Sequence, residues 1–194
     1  NGAQGLGSQG SISFESLNDR LAIDIADGSG VSRNLSKSLS GKGSVGILNT
    51  TDLTLSGDNR NFSGEFRVQK DAALRASDEK HLGTGLIDSD GVTWLTASGN
   101  WLLKNDITGS GALVKQGAGN LIINHELTYT GDTTVENAVL IVGDDSVTRA
   151  VRTTLSGCTD LHVFNGGSLS WLGTDSCQVN TLETLAGLNA LQGC

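Results

Sequence analysis

The stretch GSGALVKQGAGNLIINHELTYTGDTTVENAVLIVG, residues 109–143, decides the fold, because an earlier part of the chain repeats it. Leu39-Ser40-Gly41-Lys42-Gly43-Ser44-Val45 aligns with Ile107-Thr108-Gly109-Ser110-Gly111-Ala112-Leu113, and Leu53-Thr54-Leu55 aligns with Leu121-Ile122-Ile123, every pair 68 apart (107 − 39 and 121 − 53). The register then slips by one. Phe62-Ser63-Gly64-Glu65-Phe66-Arg67-Val68 aligns with Tyr129-Thr130-Gly131-Asp132-Thr133-Thr134-Val135, 67 apart (129 − 62). Each copy, about 39–74 and about 107–143, is too long for one hairpin and has Gly or Asn at every corner. Such a unit suits about three coils of a solenoid, with roughly 22 residues to a coil and roughly eight or nine coils in all.

Outward from the repeat, Leu53-Thr54-Leu55, Phe66-Arg67-Val68, Leu161-His162-Val163 and Leu169-Ser170-Trp171 alternate at period two between Gly, Asn, Asp or Ser. They read as short strands. Helical turns are confined to 71–81 and 182–191, and both stretches also read as strand and loop. The expected fold class is all-β, a right-handed parallel β-helix forming one segment over 1–194, with terminal coils at 155–194. Its core must be Leu, Ile, Val and Ala, because aromatics make up only 4% of the chain. A β-sandwich also has short strands and Gly-rich turns. Against it stand the absence of Pro, the scarcity of Asn-Gly and Asp-Gly turns, and the long period.

A net charge of −8 with scattered acidic residues argues against nucleic-acid partners and against attraction to anionic lipid. The longest apolar stretches, 121–123 and 138–142, fall far short of the roughly 20 residues of a spanning helix, so no membrane insertion is expected. Opening at Asn1 without Met, the chain reads as a fragment or processed product.

Residues 109–143 closely resemble the passenger-associated repeat of AIDA-type autotransporters, whose pattern runs G-x-G-x-L-x-K-x-G-x-G-x-L-x-[LI], then Y-T-G-x-T-x-[VI] and a closing L-x-V-G. Gly109, Gly111, Leu113, Lys115, Gly117, Gly119, Leu121 and Ile123 fit, followed by Tyr129, Thr130, Gly131, Thr133 and Val135, with Leu140, Val142 and Gly143 at the close. The match is specific over this stretch and degenerate over Leu39 to Leu74. The resemblance implies a passenger exported through periplasm and outer membrane to the bacterial cell surface by a C-terminal outer-membrane barrel. It implies adhesion, autoaggregation or biofilm growth, a role for the repeat in folding and secretion, and as partner a host-surface receptor or another copy of itself. Such passengers are usually poor in Cys, and three here depart from the pattern.

No catalytic residues, cofactor or metal are expected. A serine-protease passenger needs a motif like G-D-S-G beside oxyanion donors; the nearest string, Gly143-Asp144-Asp145-Ser146, lacks the second Gly and reads as a turn. His81, His125 and His162 are isolated in sequence and read as surface or strand residues. The alternative function is a carbohydrate-active β-helix enzyme, a polysaccharide lyase or hydrolase working through clustered carboxylates. Asp88 and Asp90 share a face if extended, but Asp88-Ser89-Asp90-Gly91 reads more naturally as a turn. Trp94, Trp101 and Trp171 fit sugar stacking less well than a place in the core or as coil caps.

Cys158, Cys177 and Cys194 offer no C-x-x-C zinc pattern. Leu161 and Val179 are 18 apart (179 − 161) and Leu169 and Leu188 are 19 apart (188 − 169), so Cys158 and Cys177, also 19 apart (177 − 158), are expected to stack as an inter-coil disulfide. Buried thiols are the alternative.

Overall fold

The computed structural model describes residues 10–25, 32–123, 127–136, 139–142, 160–164, 168–171 and 181–184. Every strand pairing among them is parallel, and the only helix among them is one 3-10 turn, Glu79–His81. The chain winds as a parallel β-helix whose coils visit three faces in turn. The second face is a five-stranded sheet of Arg20–Asp24, Ser44–Leu48, Glu65–Val68, Ile87–Ser89 and Ile107–Thr108. The third is an eight-stranded sheet that begins at Arg33–Leu35 and includes Asp52–Leu55, Ala73–Ala76, Val92–Thr96, Ala112–Gln116 and Thr133–Glu136. The first is split: Ser11–Phe14 pairs with Ser38–Gly41, and a separate four-stranded sheet starts at Trp101–Leu103.

Side chains alternate in and out along strands such as Asp52–Leu55, Glu65–Val68 and Ile87–Ser89, and the inward ones stack on residues one coil away. Leu21, Val45, Phe66, Ile87 and Ile107 form one such column, and Leu35, Leu55, Ala76 and Leu95 another. Phe14, Phe62 and Phe66 fill one end of the interior, with ring centroids 5.5 and 5.0 Å apart.

Coil length varies about the roughly 22 residues read from the repeat: it is longer towards both ends, 24 from Leu21 to Val45 (45 − 21) and 28 from Thr133 to Leu161 (161 − 133), and a little shorter between them. Val92 pairs with Ala73, a step of 19 (92 − 73), and with Ala112, a step of 20 (112 − 92). Phe66 pairs with Val45, a step of 21 (66 − 45). From Val45 through Phe66 and Ile87 to Ile107, three coils therefore advance the numbering by 62 (107 − 45). The repeat offset of 68 is three coils plus one face. Its first copy turns the corner from first to second face at Gly41 to Gly43, and its second copy turns from second to third at Gly109 to Gly111. Local structure is the same in both: Ser63 N donates to Gly41 O at 2.9 Å, and Thr130 N to Gly109 O at 3.0 Å. A second correction concerns the terminal coils, where Leu161 pairs with Leu182, a step of 21 (182 − 161), and not with Val179. One of the two spacings behind the Cys158–Cys177 pairing is thus not a stacking step; Leu188 of the other spacing and the three cysteines lie outside the described residues.

Corner glycines set how closely the coils approach. A Cβ on Gly64 would sit 1.9 Å from Gly43 O, one on Gly85 1.5 Å from Gly64 O, one on Gly111 2.1 Å from Gly91 O, and one on Gly131 2.3 Å from Gly111 O. Where the first face lacks a strand, buried asparagines replace the ladder. Asn59 accepts from Leu39 N at 2.7 Å through Oδ1 and donates from Nδ2 to His81 O at 2.5 Å, joining the coils on either side. Asn105 Nδ2 likewise donates to Gly85 O at 2.7 Å.

Gly111→Ala should cost roughly 3 kcal/mol, because a backbone carbonyl must move, while Gly99→Ala, whose Cβ meets nothing within 4 Å, should change stability by less than about 1 kcal/mol. Urea denaturation of both variants measures the contrast. By the same measurement Asn59→Ala, which leaves a buried amide and a carbonyl unpaired, should cost about 2–4 kcal/mol.

Candidate functional site

On the outer side of the second face, a shallow trough of about 300 Å³ runs along the Ser44–Leu48 strand. Its floor is low because Ser44 and Gly46 are small, and Gly46 has Ala22 as its partner on the adjoining strand. Arg20 and Arg67 rise on the flanking strands, Gln69 follows just beyond the end of one of them, and Asp88 and Asp90 close the far end. A second depression of about 320 Å³ shares Arg20, Ser44 and Arg67 and adds Lys42 and Glu65. Arg67 Nε donates to Glu65 Oε2 at 2.7 Å, which holds the guanidinium pKa above its ordinary value. The Asp88–Asp90 stretch is strand then corner, and not all turn: Asp88 lies on Ile87–Ser89, half-buried, and accepts from Thr108 Oγ1 at 3.3 Å. Asp90 accepts from Ser110 Oγ at 2.7 Å and Ser110 N at 3.0 Å, and these bonds hold its carboxyl below the usual range.

His81 is buried in the 3-10 turn rather than on the surface or in a strand. Its Nδ1 accepts from Ser77 N at 3.3 Å, and burial pushes its pKa down. The side chains of His125, His162 and Trp171 are outside the described residues. Trp101 is core, whereas Trp94 faces outward on the third face with the Arg75 guanidinium 4.5 Å above its ring. Asp52 in turn holds Arg75 at 2.8 Å.

The repeat residues point the other way, into the fold. Gly109 and Gly117 take left-handed φ values of +100° and +82° at corners, and a Cβ on Gly119 would lie 2.1 Å from Gly99 O. Leu113 is fully buried. Tyr129 is buried too, its hydroxyl bonded to that of Thr133. Lys115 continues the column of Leu35, Leu55, Ala76 and Leu95 at 0% exposure. Its Nζ donates to Gln116 O at 2.6 Å and Gly117 O at 3.0 Å, tying down the corner, and burial lowers its pKa from 10.5 to about 8.

The family model described as passenger-associated-transport-repeat matches residues 113–142, the same coils. Residues 113–142 are an autotransporter passenger repeat. The chain is 30% identical over 153 residues to the Escherichia coli K12 protein named uncharacterized lipoprotein YdeK, an alignment covering 78% of this chain and 11% of the relative. It is also 30% identical over 137 residues to the E. coli K12 protein named uncharacterized protein YuaQ, covering 63% and 10%. The chain thus spans about a tenth of these curated relatives. No solved structure matches it. No helix among the described residues is long and apolar enough to cross a membrane.

The sequence reading does not contain the trough or the role of Asn59. Gly46, Arg67 and Asp88 are 21 apart (67 − 46 and 88 − 67), so a coil length of 21 would have put them in one row.

For Lys115, the folded pKa of about 8 lies below the ordinary 10.5, so between those pH values the unfolded chain holds more protons and stability rises with pH. The stability difference between wild type and Lys115→Met should therefore move in favour of wild type from pH 8 to 10.5. A difference that stays flat across this window, in urea melts at several pH values, would show that the ammonium is not held in a desolvated site.

Proposed function

We propose that this chain is part of the rod of an autotransporter passenger, exported through the periplasm and outer membrane to the bacterial surface, where it presents surface to a receptor or to copies of itself and catalyses nothing. One observation carries the reading: in the residues that match the passenger repeat, Lys115, Gly117, Gly119, Tyr129 and Gly131 are all committed to corners and interior, as are Gly109 and Gly111 just before them. The repeat is then a folding element of the secreted rod, and recognition is left to the outward side chains. Adhesion, autoaggregation and biofilm growth follow from a stiff rod that turns side chains such as Asn34, Thr54, Arg75, Trp94 and Thr134 outward on one face. A C-terminal outer-membrane barrel in the whole protein supplies export. The lipoprotein name of one relative supports a place in the cell envelope.

The carbohydrate-active alternative needs a carboxyl group able to give up a proton near neutral pH. The Ser110 bonds that keep Asp90 ionised favour binding over acid catalysis.

In the full-length protein displayed on bacteria, Lys115→Glu would set a buried carboxylate against two carbonyls and should lower surface staining severalfold, while Asp88→Asn leaves staining at the wild-type level. Cells displaying the wild type should settle faster from static culture than cells bearing the barrel alone. Equal display of Lys115→Glu would remove the folding role, and equal settling would remove self-association.

A further inference from the structure

We propose that the trough on the second face binds an acidic saccharide, with the bare backbone at Gly46 as its floor and Arg20 and Arg67 as the groups that take the sugar's carboxylate. Gly46 is the observation that carries this. It sits mid-strand with no left-handed φ, and a Cβ there would meet only Leu48 Cδ2 at 3.4 Å and Leu21 O at 3.9 Å. The contrast with Gly43, Gly64 and Gly85 is sharp, since a Cβ on any of those would collide with a neighbouring coil's backbone. The fold therefore does not require glycine at 46, and a glycine in a strand interior weakens it. What the missing side chain creates is space above a strand, where a ligand can reach the sheet surface.

The walls define the ligand. In a chain of net charge −8, Arg20 and Lys42 stand beside this trough with no hydrogen-bond or ion-pair partner among the described residues, and Arg67 is held in place by Glu65. Guanidinium groups match carboxylates in geometry as well as charge. The other polar groups suit hydroxyls: Asp88 has acceptor capacity beyond its bond from Thr108, Ser44 lies on the floor, and Gln69 uses its carbonyl for Asn49 N at 3.2 Å, leaving its amide donors for a ligand. A peptide is a poorer fit. The Ser44–Leu48 strand is paired on both sides, with Arg20–Asp24 and Glu65–Val68, so no strand edge is open for an added chain. A volume of about 300 Å³ stands at the low end of ligand clefts and suits one or two sugar rings.

This deepens the surface-presenting reading by giving one face a ligand class, and its test does not depend on display. Galacturonate tetramer, hyaluronan tetramer and sialyllactose would be titrated into the full chain by calorimetry, with a neutral tetrasaccharide and a glutamate-rich peptide alongside. Saturable binding of at least one acidic saccharide is expected, at least tenfold tighter than the neutral sugar or the peptide. Gly46→Val should weaken it at least tenfold while melting at the same or a higher temperature, and Arg67→Gln should weaken it similarly. The proposal is overturned if no acidic saccharide binds, if Gly46→Val binds as wild type does, or if the peptide binds as tightly. Loss of binding with settling and surface staining unchanged in Gly46→Val cells would separate this site from the rod's self-association.

Discussion

Everything in this molecule depends on how closely one coil can lie on the next at the corners. Strands of a parallel sheet sit about 4.8 Å apart, and a corner that keeps this spacing while turning from one face to the next brings a backbone carbonyl to where a Cβ would be. The column Gly43, Gly64 and Gly85 and the column Gly91, Gly111 and Gly131 meet that condition by having no Cβ at all. With the corners tight, the strands between them fall into register, and the inward residues of successive coils are forced into columns. The hydrophobic contribution of Leu35, Leu55 and Leu95 is therefore secured by residues that are not hydrophobic and not in the core.

The same geometry explains how polar groups come to lie inside. A coil that contributes no strand to the first face leaves amides and carbonyls of its neighbours with nothing to pair with, and such groups are costly when buried. Asn59 meets the need with one acceptor and one donor on a single side chain, and Asn105 does so with its amide. Lys115 is the cationic version of this solution, its stem continuing an aliphatic column while its ammonium holds carbonyls at a corner.

The sequence made the parallel coils, the strand alternation and the repeat's corners legible, because glycine spacing and period-two alternation are local signals. Coil length was harder. Dividing the offset of 68 by three treats the two copies as superposed along the rod, whereas Leu53 stacks on Leu74 and, two coils further, Leu113, not on Leu121. The row joining Gly46, Arg67 and Asp88, which a step of 21 brings together, is hidden by that division. Asn59 gave no signal of its own, since an asparagine between Asp58 and Arg60 reads as an ordinary loop until its neighbours in space are known.

That the repeat advances by three coils and one face also has a geometric consequence for any longer rod built from it. Copies do not lie along one side. Each is turned by a third of a revolution relative to the last, so a rod assembled from such units is a slow screw, and what one copy displays in a given direction returns to that direction only with the third copy after it.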